Sequence, residues 1–314
     1  MNWRSRKLAD RQFLAFQHPH PIGRNAPSLR RKDCTLDSKN SSLGASITKP
    51  KYCQLVMKKF ILFIAAALAF SATLSAQMTA EEIIDTYLEN IGGKDNLAAL
   101  DNMVLKAQTQ AQGMEIPITM YQTANGKQRM DMIFQGREIT QMAFDGEEGW
   151  STNFQTGQAE KMDAEQSKLM KTQTSDFPDP FLNYKEKGYT VSLEGEEEVE
   201  GTATYKIKLT KDPVTVQGEE VENFTYYYFD KDALIPIMQE DFVKAGPTKG
   251  QASRTYSSDY QEVGDVYMPF SITQKMNGQT MFSVKVDEYK VNQELEDGLF
   301  AFPGDSQETE ESDK

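Results

Sequence analysis

Cysteine and histidine are absent from most of this sequence. Two of its 314 residues are cysteine and two are histidine, and all four lie near the start: His18, His20, Cys34 and Cys53. The chain after Cys53 therefore excludes disulfides, thiolate or imidazole metal sites, cysteine nucleophiles and histidine-dependent triads. Glycine-rich phosphate loops and the G-x-S-x-G motif are also missing, so we predict no catalytic residue, no cofactor and no metal site. A hydrolase that uses paired carboxylates is the remaining enzymatic alternative, and no motif favours it.

A charged and then apolar segment begins at Met57. Lys58 and Lys59 precede eleven apolar residues at 60–70, and small residues follow as far as Ala76. This pattern is typical of a cleavable secretory signal peptide, and the apolar run is shorter than the roughly 17–25 residues that span a bilayer. We predict a signal peptide at 57–76, and we interpret residues 1–56 as a mis-assigned start or a disordered basic leader. Gln77 stands where a lipoprotein would have its acylated cysteine, so we expect a periplasmic protein without a lipid anchor.

Acidic residues dominate the chain that follows this signal peptide. Residues 1–76 hold 13 basic and three acidic residues, so their removal changes the net charge from −13 to about −23. A negative charge of this size disfavours nucleic acid as a partner. The acidic end at 304–314 is expected to be disordered, which leaves one domain at 77–303.

One helix and then a series of strands are predicted for this domain. Thr79 and Glu82 fit a capping box, an apolar stripe follows at helical spacing, and Gly92 and Gly93 end the helix. From Met103 onward, apolar and polar residues alternate in segments that are separated by turn sequences such as Asn-Gly and Asp-Gly. Because no long helix separates these segments, we predict a mainly β (α+β) domain with about ten or eleven antiparallel strands.

A helical segment interrupts the strands between residues 163 and 182. Asp163 and Gln166 fit a second capping box, good helix formers continue to about Thr174, and residues 175–182 are expected to form a loop with exposed aromatic side chains. Two roles fit this segment: a lid over the sheet, or an ordinary surface connection between strands. The candidate lid residues are Leu169, Met170, Phe177 and Phe181.

Methionine is the most suggestive residue type in the predicted strands. Thioether side chains are flexible and polarizable, and they repack around ligands of varied shape, so a sheet face lined with them would suit acyl chains. Filling an ordinary core is the alternative role for each of them. Trp150 follows an Asp-Gly turn, where it would flank the mouth of a cavity or anchor the core. The candidate cavity-lining residues are Ile118, Met120, Met130, Met132, Phe134, Met142, Phe144 and Trp150.

Four segments, taken in order, resemble the LolA/LolB-like superfamily, and specifically the outer-membrane lipoprotein-sorting proteins of Bacteroidetes-type bacteria. These segments are residues 83–94, 144–150, 228–236 and 258–269, and the likeness extends over 79–303. The resemblance implies a curved, unclosed antiparallel half-barrel with the N-terminal helix and a short helical lid on its concave side. It also implies that acylated lipoproteins or other lipids bind between sheet and helices. A strand arginine holds the lid closed in classical members, and Arg129 and Arg137 are the candidates here.

The sequence therefore supports two alternative hypotheses about function. The first is a monomeric, soluble periplasmic carrier that shields the acyl chains of lipoproteins or related lipids between an inner-membrane donor and an outer-membrane acceptor. The alternative is a non-enzymatic interaction or ligand-sensing module of the cell envelope on the same fold, because a fold does not determine a function.

Overall fold

The computed structural model of the protein describes residues 78–111 and 113–303. The predicted leader, signal peptide and acidic tail lie outside the described residues, so all three stay predictions. Within the described part of the chain, no helix has the length and apolar character needed to cross a membrane.

In the described part of the chain, thirteen antiparallel strands form one open sheet in the order β6-β5-β4-β3-β2-β1-β13-β12-β11-β10-β9-β8-β7. The prediction of an antiparallel, mainly β domain is confirmed, with more strands than the expected ten or eleven. Strands β5 and β6 have only four and three residues, which is too short for an alternating pattern to predict them. The strands are β1 (Asn102–Ala111), β2 (Met114–Thr123), β3 (Gln128–Phe134), β4 (Arg137–Phe144), β5 (Gly149–Thr152), β6 (Ala159–Lys161), β7 (Thr190–Val199), β8 (Thr202–Val216), β9 (Glu219–Asp230), β10 (Pro236–Phe242), β11 (Ala252–Val263), β12 (Val266–Met276) and β13 (Gln279–Val291).

The sheet is curved and does not close, because β6 and β7 are its two edges. Register shifts interrupt several strand pairs, among them β1–β13, β3–β4, β8–β9 and β12–β13. Each such irregularity bends the strand and increases its local twist. The structure is thus the half-barrel that the sequence predicted.

Helix α1 (Ala80–Asn90) begins at the predicted capping box. The Thr79 hydroxyl accepts from the Glu82 amide at 3.2 Å, and the Glu82 carboxylate accepts from the Thr79 amide at 2.8 Å. Gly92 ends this region with φ +129°, and a Cβ there would lie 2.4 Å from the carbonyl oxygen of Asp265. Only glycine fits this approach of the helix end to the turn between β11 and β12. Helix α2 (Lys94–Ala98) follows directly.

The sheet has an inner face, which the helices cover, and an outer face. Side chains of directly paired residues point to the same side of a sheet, so the register assigns every strand position to one face. Ile83 and Ile84 of α1 are fully buried against Ile207, Leu209 and other inner-face residues of β8 and β9. The main core of the domain therefore lies on the inner face of the β7–β11 half.

Residues 162–189 connect the two edge strands and carry helix α3 (Ala164–Thr174). Asp163 and Gln166 form the predicted capping box, which confirms the second helix start. The expectation of exposed aromatics in residues 175–182 is wrong: Phe181 is 1% exposed and Phe177 is half-buried. Phe181 packs edge-on against Tyr87 and Phe229, because this loop covers the end of the core rather than extending into solvent.

Candidate functional site

The inner face of strands β2, β3 and β4 collects the predicted methionines. Met120 pairs with Met130, and Met130 pairs with Met142, so these three thioethers form a row across three neighbouring strands. Ile118 pairs with Met132 in the next row. We call this surface the methionine face. It comprises Ile118, Met120, Met130, Met132, Phe134, Met142 and Phe144.

Most of the methionine face is only half-buried. Ile118 and Phe144 are buried, at 7% and 0% exposure, whereas the other five members have intermediate exposure. The apolar cluster at this place consists of residues from the sheet alone: Leu105, Ala107, Ile116, Ile118 and Val286, with Met120, Met132, Phe134, Phe270, Val284 and Tyr289 packed against them. No residue of α1, α2 or α3 belongs to it. In the described structure, helix side chains therefore fill the core on the β7–β11 half of the inner face, whereas the cluster around Ile118 contains no helix side chain.

Helix α3 lies across the opening of the half-barrel and is attached through polar contacts near its two ends. The Glu165 carboxylate accepts from the backbone amides of Gln217 at 2.6 Å and Gly218 at 3.1 Å, in the turn between β8 and β9. Lys171 pairs with Glu147 at 2.5 Å, in the turn between β4 and β5. The helix therefore joins the two wings of the sheet, which is the arrangement that a lid requires.

Helix α3 is not sealed against the strands beneath it. A cleft of about 430 Å³ separates it from the β4–β5 turn and β6. Of the candidate lid residues on this helix, Leu169 and Met170 are both half-buried. The cleft is lined by Glu147, Glu148, Lys161, Met162, Ala164, Ser167, Lys168 and Lys171. Most of these lining side chains are charged, so the cleft is polar. The methionine face, and not this cleft, is the apolar surface.

Trp150 lies on the outer face, away from the methionines. It pairs with Ala143 in β4, whereas Met142 pairs with Ser151. Its indole nitrogen donates to the carbonyl of Phe300 at 3.3 Å, and its ring meets Phe302 edge-on. At 5% exposure it anchors the C-terminal segment, so of the two roles considered for it the structure favours a core anchor.

The two arginines that were considered as lid latches are also placed away from α3. The Arg129 guanidinium donates to Asp131 at 2.8 Å, to Thr140 at 2.8 Å and to the carbonyl of Leu299 at 2.6 Å. It holds the C-terminal segment on the outer face. Arg137 is exposed where β4 begins, beside the turn that joins β3 to β4.

The C-terminal segment that Arg129 and Trp150 hold was missed by sequence reasoning. Its signal is the run Leu299-Phe300-Ala301-Phe302, which is apolar between acidic neighbours. Phe300 is 8% exposed. The segment covers the outer face of β3–β5. The strands that carry the methionine face are therefore covered on their other side, and only the inner face is left for a ligand.

A buried polar cluster joins α1 to the loop that follows α3. The Tyr87 hydroxyl donates to Asp179 at 2.5 Å, and the Phe181 amide donates to the same carboxylate at 2.8 Å. Burial raises the pKa of Asp179 above its ordinary value, although both hydrogen bonds oppose this. Burial also raises the pKa of Tyr87 and lowers that of Lys187, whose ammonium has no hydrogen-bond partner in the described structure.

This cluster fixes the loop to the core. Asp176 adds an ion pair with Lys211 of β8 and accepts from the Tyr189 hydroxyl at 3.1 Å. The connection is thus rigidly attached after α3, while α3 itself is held through contacts nearer the surface. Within the described residues, no group of three or more carboxylates, cysteines or histidines is placed to hold a metal ion.

Comparison with known proteins gives structural neighbours and no sequence relatives. No family model matches the chain, and no curated protein matches it. A DUF1329 family protein from Desulfovibrio piger matches with a TM-score of 0.47 and 12% identity, over 72% of this chain and 98% of that one. A LolA superfamily protein from Nitrosomonas europaea matches with a TM-score of 0.45, also at 12% identity and over the same shares.

A domain described as an outer membrane lipoprotein-sorting protein, from Vibrio parahaemolyticus, matches with a TM-score of 0.44 and 11% identity, over 70% of this chain and 95% of that one. The neighbours thus include the superfamily that the sequence resembles. At these scores and identities, the likeness says nothing about what this chain binds.

Proposed function

We propose that this protein is a soluble periplasmic carrier that holds the acyl chains of lipoproteins or related lipids against the methionine face. The observation that carries this proposal is the unequal filling of the inner face. Helix side chains cover the β7–β11 half, whereas the apolar cluster around Ile118 contains no helix residue and its methionines stay half-buried. An apolar chain that lies under α3 would complete this cluster.

The chemistry of the surface suits a ligand that must be released again. Burying one CH₂ group is worth roughly 0.8 kcal/mol, so a chain of about 16 carbons gains about 12 kcal/mol before the losses of binding. A rigid pocket that matched this chain closely would hold it too long. Met120, Met130, Met132 and Met142 have flexible thioether side chains, which adapt to chains of different length and saturation.

Helix α3 would serve as the lid of this site. Its contacts through Glu165 and Lys171 are polar and lie at the surface, so water can replace them when the helix opens. The following loop stays attached through Asp176 and Asp179, which would let the helix turn about its C-terminal end. Delivery from an inner-membrane donor to an outer-membrane acceptor is the corresponding role in the envelope, supported by the predicted signal peptide.

Lipid binding is tested directly with a fluorescent fatty acid and two matched variants. Met130→Asp combined with Met132→Asp places two charges on the methionine face and is expected to abolish binding, because a carboxylate is poorly solvated beside an acyl chain. Lys106→Asp makes the same change of two charge units at an exposed position of β1, two strands away, and it should bind like the wild type. Circular dichroism and thermal unfolding establish that each variant is folded.

Native mass spectrometry of the protein from its own periplasm identifies the cargo. A bound acyl lipid or lipopeptide supports the carrier. Retained fatty-acid binding by the folded double variant, or a cargo-free wild-type protein that binds no fatty acid, would contradict the carrier and favour the interaction module.

A further inference from the structure

The exposed large hydrophobic side chains of the described residues share one location. They are Met114, Ile133, Phe154 and Met281, with exposures of 48%, 49%, 57% and 48%. Each lies in or within three residues of a different strand connection: β1–β2, β3–β4, β5–β6 and β12–β13. Scattered exposed apolar residues need no explanation, but a common location does.

The sheet topology places these four connections at the same rim. In an antiparallel sheet, alternate strand ends meet at one edge, and the spatial order β6-β5-β4-β3-β2-β1-β13-β12 makes the four turns consecutive neighbours. Neighbouring hairpins lie about 10 Å apart, since paired strands are about 4.8 Å apart. The four residues therefore lie along roughly 30 Å of this rim, which we call the apolar rim.

Charge is distributed unequally between this rim and the opposite one. The four connections, at residues 110–114, 133–137, 153–158 and 276–281, contain no acidic residue and include Arg137. The other two connections at this rim, 217–218 and 243–251, also contain no acidic residue, and the second contains two lysines. Exposed acids do occur at the start of adjoining strands: Glu115 and Glu138 follow two of the four connections, and Glu219 and Glu220 follow residues 217–218.

The opposite rim carries acids in most of its turns. Acidic residues occur at 145–148 in the β4–β5 turn, at 196–200 around the β7–β8 turn, at 230–232 in the β9–β10 turn and at 262–265 in the β11–β12 turn. The turns thus differ in charge along the direction of the strands: acids occur in most turns of one rim and in none of the turns of the rim that exposes apolar side chains.

We propose that the apolar rim docks onto the surface of a lipid bilayer. Single apolar side chains on separate turns suit a planar, deformable interface, because each one inserts between lipids without needing a matching pocket. The absence of acids from the turns themselves lowers the repulsion by anionic headgroups at this rim, while the acidic rim faces away from the membrane. A bilayer is favoured over a protein partner because the apolar rim is narrow and offers no continuous face to bury.

This inference goes beyond the proposed carrier function, because the rim and the methionine face are different surfaces. Docking would bring the open side of the half-barrel to the membrane for transfer. The rim would bind bilayers even if the methionine face held no lipid.

Vesicle flotation tests the proposal. The probe is vesicles of phosphatidylethanolamine and phosphatidylglycerol, mixed with the protein and floated through a density gradient. Phe154→Ser with Met281→Ser removes two exposed apolar side chains without changing the charge, and the partition into vesicles should fall at least about tenfold. The matched control is Ala124→Ser with Gln261→Ser, two exposed positions towards the acidic rim, and it should float like the wild type.

Fatty-acid binding and light scattering complete the experiment. The rim variant should still bind the fluorescent fatty acid, which separates a failure of docking from a failure of the carrier function. The proposal is overturned if the wild type does not float, or if the rim variant and the control float equally. It is also overturned if the rim variant converts a dimer to a monomer, since the rim would then contact a second copy of this chain.

Discussion

Glu165→Ala should release helix α3 from the sheet. The Glu165 carboxylate accepts two backbone hydrogen bonds, from Gln217 at 2.6 Å and from Gly218 at 3.1 Å. A hydrogen bond to a charged group contributes about 1.5–3 kcal/mol in buried settings, and water at this surface site reduces this to about 1 kcal/mol each. The loss of about 2 kcal/mol corresponds to a roughly 30-fold larger open population, because 1.4 kcal/mol is a factor of ten.

Hydrogen–deuterium exchange measures this opening without any ligand. A helix of eleven residues is marginal by itself, so the protection of its amides depends on the contacts that hold it to the sheet. Amides of α3 should lose about 30-fold protection in Glu165→Ala and an intermediate amount in Glu165→Gln, since an amide side chain keeps one acceptor oxygen. Amides in β11 and β12 should be unchanged, which excludes a global loss of stability.

The ion pair between Lys171 and Glu147 provides the matched control. Both side chains are mostly exposed, at 56% and 77%, so the pair is expected to contribute only about 0.5 kcal/mol. Lys171→Ala should therefore change the protection of α3 by about twofold. Equal effects of Glu165→Ala and Lys171→Ala, or no effect of either, would refute the assignment of Glu165 as the main contact that holds α3 to the sheet.

Two further predictions concern stability. Gly92→Ala should destabilise the fold by about 3 kcal/mol or more, because its Cβ would lie 2.4 Å from a backbone oxygen. In the control Gly188→Ala, the Cβ meets no atom within 4 Å, so this variant should lose only about 1–2 kcal/mol of stability through its positive φ. Urea unfolding measures both losses, and equal losses would contradict the steric argument. Burial raises the pKa of Asp179, so the native chain binds more protons than the unfolded chain between the ordinary and the raised pKa, and stability should fall as the pH rises through that window. Asp179→Asn should remove this contribution, which thermal unfolding at several pH values measures; an unchanged pH dependence would show that the carboxylate is not the group responsible.

The two rims of the half-barrel differ. The segment that carries α3 connects the two edge strands, the acidic turns lie at one rim, and the exposed apolar side chains lie at the other. If both proposals hold, lipid would enter or leave at the rim that touches the membrane. The flotation and exchange experiments test these two features separately.

Local features of this protein were determined by the sequence. The capping boxes at Thr79 and Asp163 act over three residues, so each helix start is encoded where it occurs. The alternation of Met130 and Met132 with Arg129 and Asp131 is likewise local, because successive side chains of a strand point to opposite faces. Strand type, helix starts and the shared face of the methionines could therefore be predicted.

The partners of each face were decided only by the tertiary structure. Arg129 contacts Leu299, 170 residues later, and Trp150 contacts Phe300. The outer-face roles of both residues therefore depend on a distant segment that the sequence around them does not predict. Phe181 looked like an exposed loop residue until the fold placed it against Tyr87 and Phe229. The apolar rim needs the strand order itself, because residues from 114 to 281 become neighbours only when β13 pairs with β1. Alternation in a strand separates one face from the other, but it contains no information about which distant segment will cover that face.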